Sequence, residues 1–206
     1  MLTIALPKGR IADETLEIFE KTFDTKFVFE DRKLILDTGD FRFLLVRNQD
    51  VPAYVLNQAA DIGVVGLDVL MEKEMDLMKL MDLGIGKCKV CVGMRDEDEL
   101  DLNSPLIVVA TKMENIAKNY FASKAMAVKI IKLYGSIELA PIVGLSDAIV
   151  DIVETGDTMR QNGLKIVDTI MESSAHLIAN KNSFIANKEE ILTLYKRIND
   201  TIKELN

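Results

Sequence analysis

Apolar positions along this chain follow two alternating rhythms. Short apolar runs read as strands, and the stretches between them carry apolar residues at helical spacing. LTIALP is the first strand, and Ile11 to Phe23 groups Ile11, Leu16, Ile18, Phe19 and Phe23 on one side of a helix. KLILDTG and FRFLLVRN predict neighbouring strands, with Thr38-Gly39-Asp40 as the turn between them. VPAYVLNQAA predicts a helix opened by Asp50 as N-cap, with Pro52 in its first turn. DIGVVG predicts a strand and LDVLMEKE a short helix capped by Asp68. CKVCVGM, PLIVVAT and AVKIIKL predict three further strands, with MENIAKNYFASK as a helix between the last two. AIVDIV, LKIVDTIM and AHLIANK complete the strands. Lys188 to Leu205 predicts an amphipathic helix with Ile191, Leu194, Ile198, Ile202 and Leu205 inward.

This βαβ rhythm predicts an α/β fold with mostly parallel sheets. The strands are too many for one sheet in 206 residues, so two lobes are expected. A break near Gly84–Gly86 and a return near Gly163 would make 1–86 with 165–206 a discontinuous first lobe. The second lobe, 87–164, would be inserted into it. The active or binding site is expected in the cleft between the lobes. The polar interval RDEDELDLNS, Arg95 to Ser104, is expected to be a solvated loop.

Composition narrows the classes. Hydrophobic residues at 49% and charged residues at 28% describe a globular chain with a good core. The formal net charge of −8 argues against nucleic acid or an anionic membrane as partner through the general field. An anionic ligand would then need cations concentrated locally. No apolar stretch reaches the about 18 residues of a membrane span. MLTIALPKGR has no basic segment ahead of its apolar run, so a secretory signal is not expected and a cytoplasmic location is. Cys88 and Cys91 stand in CKVC. Zinc would need further ligands, and the sole histidine is His176, so the pair reads as strand thiols in a reducing compartment.

Two constellations carry candidate chemistry. The apolar strand Ala148 to Val153 contains Asp151 and is followed by Glu154, then Thr155-Gly156-Asp157-Thr158, then a polar helix from near Met159. Glycine lets the backbone approach a ligand, helix-start N–H groups favour an anion, and the threonines add hydroxyls, which suits a phosphate monoester. The carboxylates suit vicinal hydroxyls or a magnesium ion. A sugar phosphate fits the whole run, but so does a capped turn, and the residue types alone leave both open. The second constellation is a set of cations at or near strand ends: Lys8-Gly9-Arg10, Arg32-Lys33 and Arg47. They suit phosphate or pyrophosphate, or are solvated loop charges.

LPKGRI, RNQDVP, DIGVVGLDVL and above all ELAPIVGLSDAIVDIVETGDTMRQNGL resemble the ATP phosphoribosyltransferase family, which opens histidine biosynthesis. The resemblance covers essentially the whole chain and looks like the short form, without a separate C-terminal regulatory domain, and it implies two lobes like those of periplasmic binding proteins. It implies transfer of the phosphoribosyl group of phosphoribosyl pyrophosphate to N1 of ATP, with magnesium carried on the pyrophosphate and no protein metal site. It implies that Thr155, Gly156, Asp157 and Thr158 hold the 5-phosphate, and that Glu154, helped by Glu138 and Asp151, faces the ribose hydroxyls. Arg10 and Arg32 would lie near the pyrophosphate and ATP phosphates as the catalytic cations, with Lys8, Gly9 and Arg47 adding to a positive cleft. It also implies a homodimer assembled with a regulatory subunit resembling histidyl-tRNA synthetase. The alternative is a two-lobed ligand-binding module without catalysis.

Overall fold

The computed structural model describes residues 1–101 and 104–205. In chain order its strands are β1 Leu2–Pro7, β2 Ile35–Thr38, β3 Phe41–Val46, β4 Ile62–Gly66, β5 Met78–Asp82 and β6 Cys88–Arg95, then β7 Ile107–Thr111, β8 Val128–Lys132, β9 Ala148–Val153, β10 Leu164–Ser173 and β11 Ala175–Ala179. Its helices are α1 Arg10–Phe23, α2 Val51–Leu56, α3 Leu67–Lys73, α4 Glu114–Ser123, α5 Leu139–Ile142, α6 Asp157–Gln161, α7 Lys181–Ala186 and α8 Lys188–Leu205. A 3-10 turn, Asn48–Asp50, leads into α2. The predicted elements are present, and α5, α7 and β5 are additions. The β5 segment, MKLMD, is short and alternates only weakly, so its apolar pattern gives little signal.

The chain divides into two units, Met1–Gly86 together with the chain from Ser174 on, and Lys87–Ser173. The outgoing break falls at Gly86 as the glycines suggest. The return falls after β10 rather than before it, because β10 pairs along its length with β6, from Leu164 opposite Arg95 to Ser173 opposite Cys88.

The first unit holds a six-stranded sheet in the order β2-β3-β1-β4-β11-β5. Its centre is parallel: β1 pairs in register with β3 and with β4. Phe19 on α1 meets the rings of Phe41 and Phe43 edge-on at 5.5 and 5.3 Å, so the helix locks onto β3 through aromatic contacts. Ile191, Leu194 and Ile198 of α8 join the same core, each worth roughly 1.5–3 kcal/mol of burial. Ile202 packs at its margin, whereas Leu205, predicted inward, is half exposed at 51%. The helix end extends past the core it packs on.

The second unit holds a five-stranded sheet, β10-β6-β9-β7-β8, with β7 parallel to both β8 and β9. Phe121 and Tyr120 of α4 pack with Val90, Val92 and Val109 in its core.

The expectation of mostly parallel sheets is corrected: both sheets are mixed. The hairpin β2–β3 has to be antiparallel because its connection is too short for a crossover. Chain segments leading out of a unit also run against those leading back, so β5 opposes β11 and β6 opposes β10. An alternation of strands and helices does not encode this. Two predicted caps are corrected as well. Asp50 stands at the N-cap of α2 in a helical conformation with no side-chain cap bond, because the preceding 3-10 turn already directs the chain. Asp68 lies inside α3, buried, while Gly66 is the N-cap. The polar interval Arg95–Ser104 is largely loop, tied by the Arg95–Asp98 ion pair, and its residues 102 and 103 lie outside the described residues.

Candidate active site

In the second unit the acidic strand end and the Thr-Gly loop come together. Glu138, Asp151, Glu154, Thr155, Gly156 and Thr158 line one cavity of about 310 Å³ with Ile152, Val153 and Met159. Glu138 reaches it from the N-cap of α5, the others from the carboxyl end of β9 and the start of α6. This is the strand end at which open α/β sheets place ligands.

The loop geometry follows from its residues. Gly156 caps α6 at φ 82, in the left-handed region, so glycine is the residue suited to this position. Met159, in the first turn, is buried against Ile149, Val153 and Leu164 and anchors the helix. The helix begins at Asp157, two residues before the sequence expectation. Its first N–H groups lack intrahelical acceptors. Asp157 is the one predicted loop residue outside the lining. Its carboxylate accepts from Thr155 Oγ1 at 2.7 Å and pairs with Arg160, and these two partners hold its pKa below the usual carboxylate value. The acid is thereby turned away and neutralised, leaving backbone N–H groups and the Thr158 hydroxyl as the donors. That arrangement suits an anion.

Asp151 is 14% exposed and lies 3.3 Å from Lys112, which directly follows β7. Sequence reasoning missed Lys112. The signal was there, since a cation after an apolar strand is the rule that singled out Lys8 and Arg47, and PLIVVATK fits it.

In the first unit, Lys8, Gly9, Arg32 and Lys33 line a groove of about 580 Å³ beside Phe27, Phe29 and Leu45. Gly9 caps α1 with φ 98 and its carbonyl accepts the Ala12 and Asp13 N–H groups. The Lys8 N–H donates to the Val46 carbonyl at 2.9 Å, so Lys8 and Arg47 leave the same ends of adjacent parallel strands. Arg10 and Arg47 are not in the groove's lining. Arg10 is the first residue of α1, 3.6 Å from Glu14. Among the described residues Lys8, Arg32 and Arg47 have no ion pair. Arg32 holds φ 55, a left-handed conformation that costs a non-glycine residue of order 1–3 kcal/mol.

Cys88 and Cys91 lie on β6 and neither is in a disulfide, with Cys91 buried and its sulfur 3.7 Å from Thr169 Oγ1. Among the described residues no group of three or more His, Cys, Asp or Glu side chains is arranged to hold a metal ion. No described helix is long and apolar enough to cross a membrane.

A family profile described as HisG: ATP phosphoribosyltransferase matches residues 47–200. The chain is 68% identical over 202 residues to an ATP phosphoribosyltransferase of Campylobacter curvus (strain 525.92), covering 98% of each. It is 69% identical to one of Campylobacter fetus subsp. fetus (strain 82-40), over 98% of this chain and 100% of that one. An ATP phosphoribosyl transferase (HisG:HisZ) complex from Thermotoga maritima superposes with a TM-score of 0.87 at 34% identity, over 99% of this chain and 100% of that one. The periplasmic aliphatic sulphonate binding protein SsuA from Escherichia coli superposes with a TM-score of 0.63 at 11% identity, over 98% of this chain and 72% of that one, a likeness of fold alone.

Proposed function

The chain belongs to the ATP phosphoribosyltransferase family, and from that premise we propose how its own residues divide the reaction. The protein is a glycosyltransferase: it joins N1 of ATP to C1 of 5-phosphoribosyl 1-pyrophosphate and releases pyrophosphate, the first step of histidine biosynthesis. The observation that carries the division is the cavity in which three carboxylates face two threonines and a left-handed glycine.

In this reading the cavity is the phosphoribosyl subsite. The Thr158 hydroxyl and the backbone N–H groups around Gly156 and the start of α6 take the 5-phosphate, with Thr155 ordering the loop through its hydroxyl bond to Asp157. Asp151, Glu154 and Glu138 take the ribose hydroxyls. Asp157 shapes the loop through Thr155 and Arg160 rather than touching phosphate. Lys8, Gly9, Arg10, Arg32 and Arg47 form the cationic part that takes the pyrophosphate and the ATP phosphates.

The adenine N1 carries a lone pair at neutral pH, so the attacking atom needs no general base. The difficult event is loss of pyrophosphate from C1, which leaves positive charge on the sugar and negative charge on the departing oxygens. Carboxylates lining the sugar cavity offset the first, and Arg10 and Arg32 offset the second as it develops. Asp151, Glu154 and Glu138 offer the hard oxygen chemistry that suits magnesium held mainly by substrate oxygens. Magnesium on the pyrophosphate would supply further charge neutralisation on the leaving group.

The T. maritima relative is described as a HisG:HisZ complex. By analogy this chain works as a homodimer within a hetero-oligomer, as the short-form catalytic subunit with a regulatory partner resembling histidyl-tRNA synthetase, in the cytoplasm. The deciding experiment is pyrophosphate release by the purified chain with ATP, phosphoribosyl pyrophosphate and magnesium, omitting each substrate in turn, with and without the partner. Release that needs both substrates is expected. Binding of both with no release under either condition overturns the reading in favour of a binding module.

A further inference from the structure

The Asp151 carboxylate is held through one oxygen. Its Oδ1 accepts the Ile152 N–H at 2.8 Å and faces the Lys112 ammonium at 3.3 Å. Among the described residues Oδ2 has no partner, and Asp151 lines the cavity while Lys112 does not. A carboxylate gripped at one oxygen by two donors has a fixed plane, with its other oxygen left to accept from a ligand. The direction from which Lys112 approaches is also fixed. Thr111, fully buried at the end of β7, donates its hydroxyl to the Val150 carbonyl at 2.6 Å and accepts the Met113 N–H at 2.9 Å. These bonds pin the backbone on both sides of Lys112 and tie it to the strand that carries Asp151. A carboxylate this far out of water is also unfavourable without a counter-charge, and Lys112 provides one.

We propose that Lys112 is a positioning residue for phosphoribosyl pyrophosphate. It holds the Asp151 carboxylate turned so that Oδ2 accepts from a ribose hydroxyl. The inference rests on the reading of this cavity as the phosphoribosyl subsite. Its action runs through Asp151, so the two residues form one functional unit.

The test is equilibrium binding of phosphoribosyl pyrophosphate to the full chain in magnesium buffer, by calorimetry. The proteins are the wild type, K112M, K112R, D151N and the double variant K112M/D151N. ATP binding and the thermal midpoint are followed as controls for folding. K112M and D151N are each expected to weaken phosphoribosyl pyrophosphate about tenfold, with ATP binding unchanged. K112R is expected to recover affinity to within about threefold, and the double variant to bind no more weakly than D151N alone. If K112M binds normally while D151N is weak, or if K112M adds its full loss on top of D151N, the positioning role is overturned and the subsite reading stands. If D151N binds normally, the subsite reading itself fails and takes the inference with it.

Discussion

The two units place their candidate chemistry by the same rule and supply it with opposite means. Each has a strand flanked by two parallel neighbours, β1 between β3 and β4, and β7 between β8 and β9. In each the polar residues gather beyond the carboxyl ends of those strands. The first unit presents cations: Lys8 and Arg47 at strand ends and Arg32 on a nearby turn have no ion pair among the described residues. In the second unit two of the candidate acids are paired, Asp157 with Arg160 and Asp151 with Lys112, and Glu138 and Glu154 line the cavity beside them. What it offers a ligand is directional: backbone N–H groups, the Thr158 hydroxyl and the carboxylate oxygens of the cavity. The first unit is therefore suited to the negative charge that grows on a leaving group, and the second to orienting a sugar phosphate with carboxylates beside the sugar.

The largest expected effect concerns the frame under the cations. Phe19 meets Phe23, Phe27, Phe41 and Phe43 and ties α1 to β3, the two elements next to Arg10 and Arg47. Phe19→Ala should destabilise the first unit by about 3–5 kcal/mol in urea unfolding. A loss below 1 kcal/mol would mean that the aromatic cluster is not what holds that frame.

Next comes the charge itself. Arg32→Ala should lower kcat about a hundredfold, the usual loss when a preorganised charge is removed from a developing anion. ATP affinity should move much less. Arg32→Gly separates side chain from backbone: kcat should fall equally while stability rises by up to about 1 kcal/mol, since glycine accepts φ 55 without strain. An unchanged kcat in either variant would remove Arg32 from the reaction.

Smaller effects are expected from the Thr-Gly loop of the second unit, where orientation and not charge is at stake. Gly156→Ala meets no close atom, its nearest neighbour being Arg160 at 3.7 Å, so the penalty is conformational. About 1 kcal/mol of left-handed backbone penalty should raise KM for phosphoribosyl pyrophosphate roughly fivefold. Thr158→Ala should raise the same KM severalfold. A change confined to the KM for ATP in these variants would break the assignment of orientation to this unit.

The smallest effect is a pH dependence away from the cavity. Asp168 accepts from Tyr120 and pairs with Lys124, which together hold its pKa below the ordinary 3.8. A lowered folded value gives stability that is present above pH 3.8 and lost as the pH falls through the folded value. Burial and Asp168 push the Tyr120 phenol up, which gives stability present below its ordinary 10.0 and lost above it. Tyr120→Phe should therefore flatten the acid-side loss, by no more than about 1 kcal/mol because Asp168 is partly solvated. Parallel unfolding curves for the wild type and the variant at low pH would contradict this.

Much of the candidate site was legible because it is continuous in sequence. The run from Asp151 to Thr158 is a strand end, a turn and a helix start, and local pattern and turn chemistry read all three. Glu138 joined it through family resemblance, and the fold brings it to the same cavity. The cations were legible one by one as strand-end residues, but Arg10 and Arg47 turned out not to share the groove of Lys8 and Arg32. Lys112 was passed over because its meaning depends on which strand lies beside β7.

The sequence by itself determined the strands and helices, the α/β class, the family and the local shape of the Thr-Gly loop. These depend on apolar spacing, on glycine at a left-handed turn and on residues adjacent in the chain. Tertiary structure alone decided that the sheets are mixed, that β10 closes the second unit, that Asp157 faces Arg160 and that Lys112 grips Asp151. Each of these is a choice of side-chain or strand partner. That choice is fixed by the direction and register in which distant strands pair, and residue types in order along a chain do not specify either.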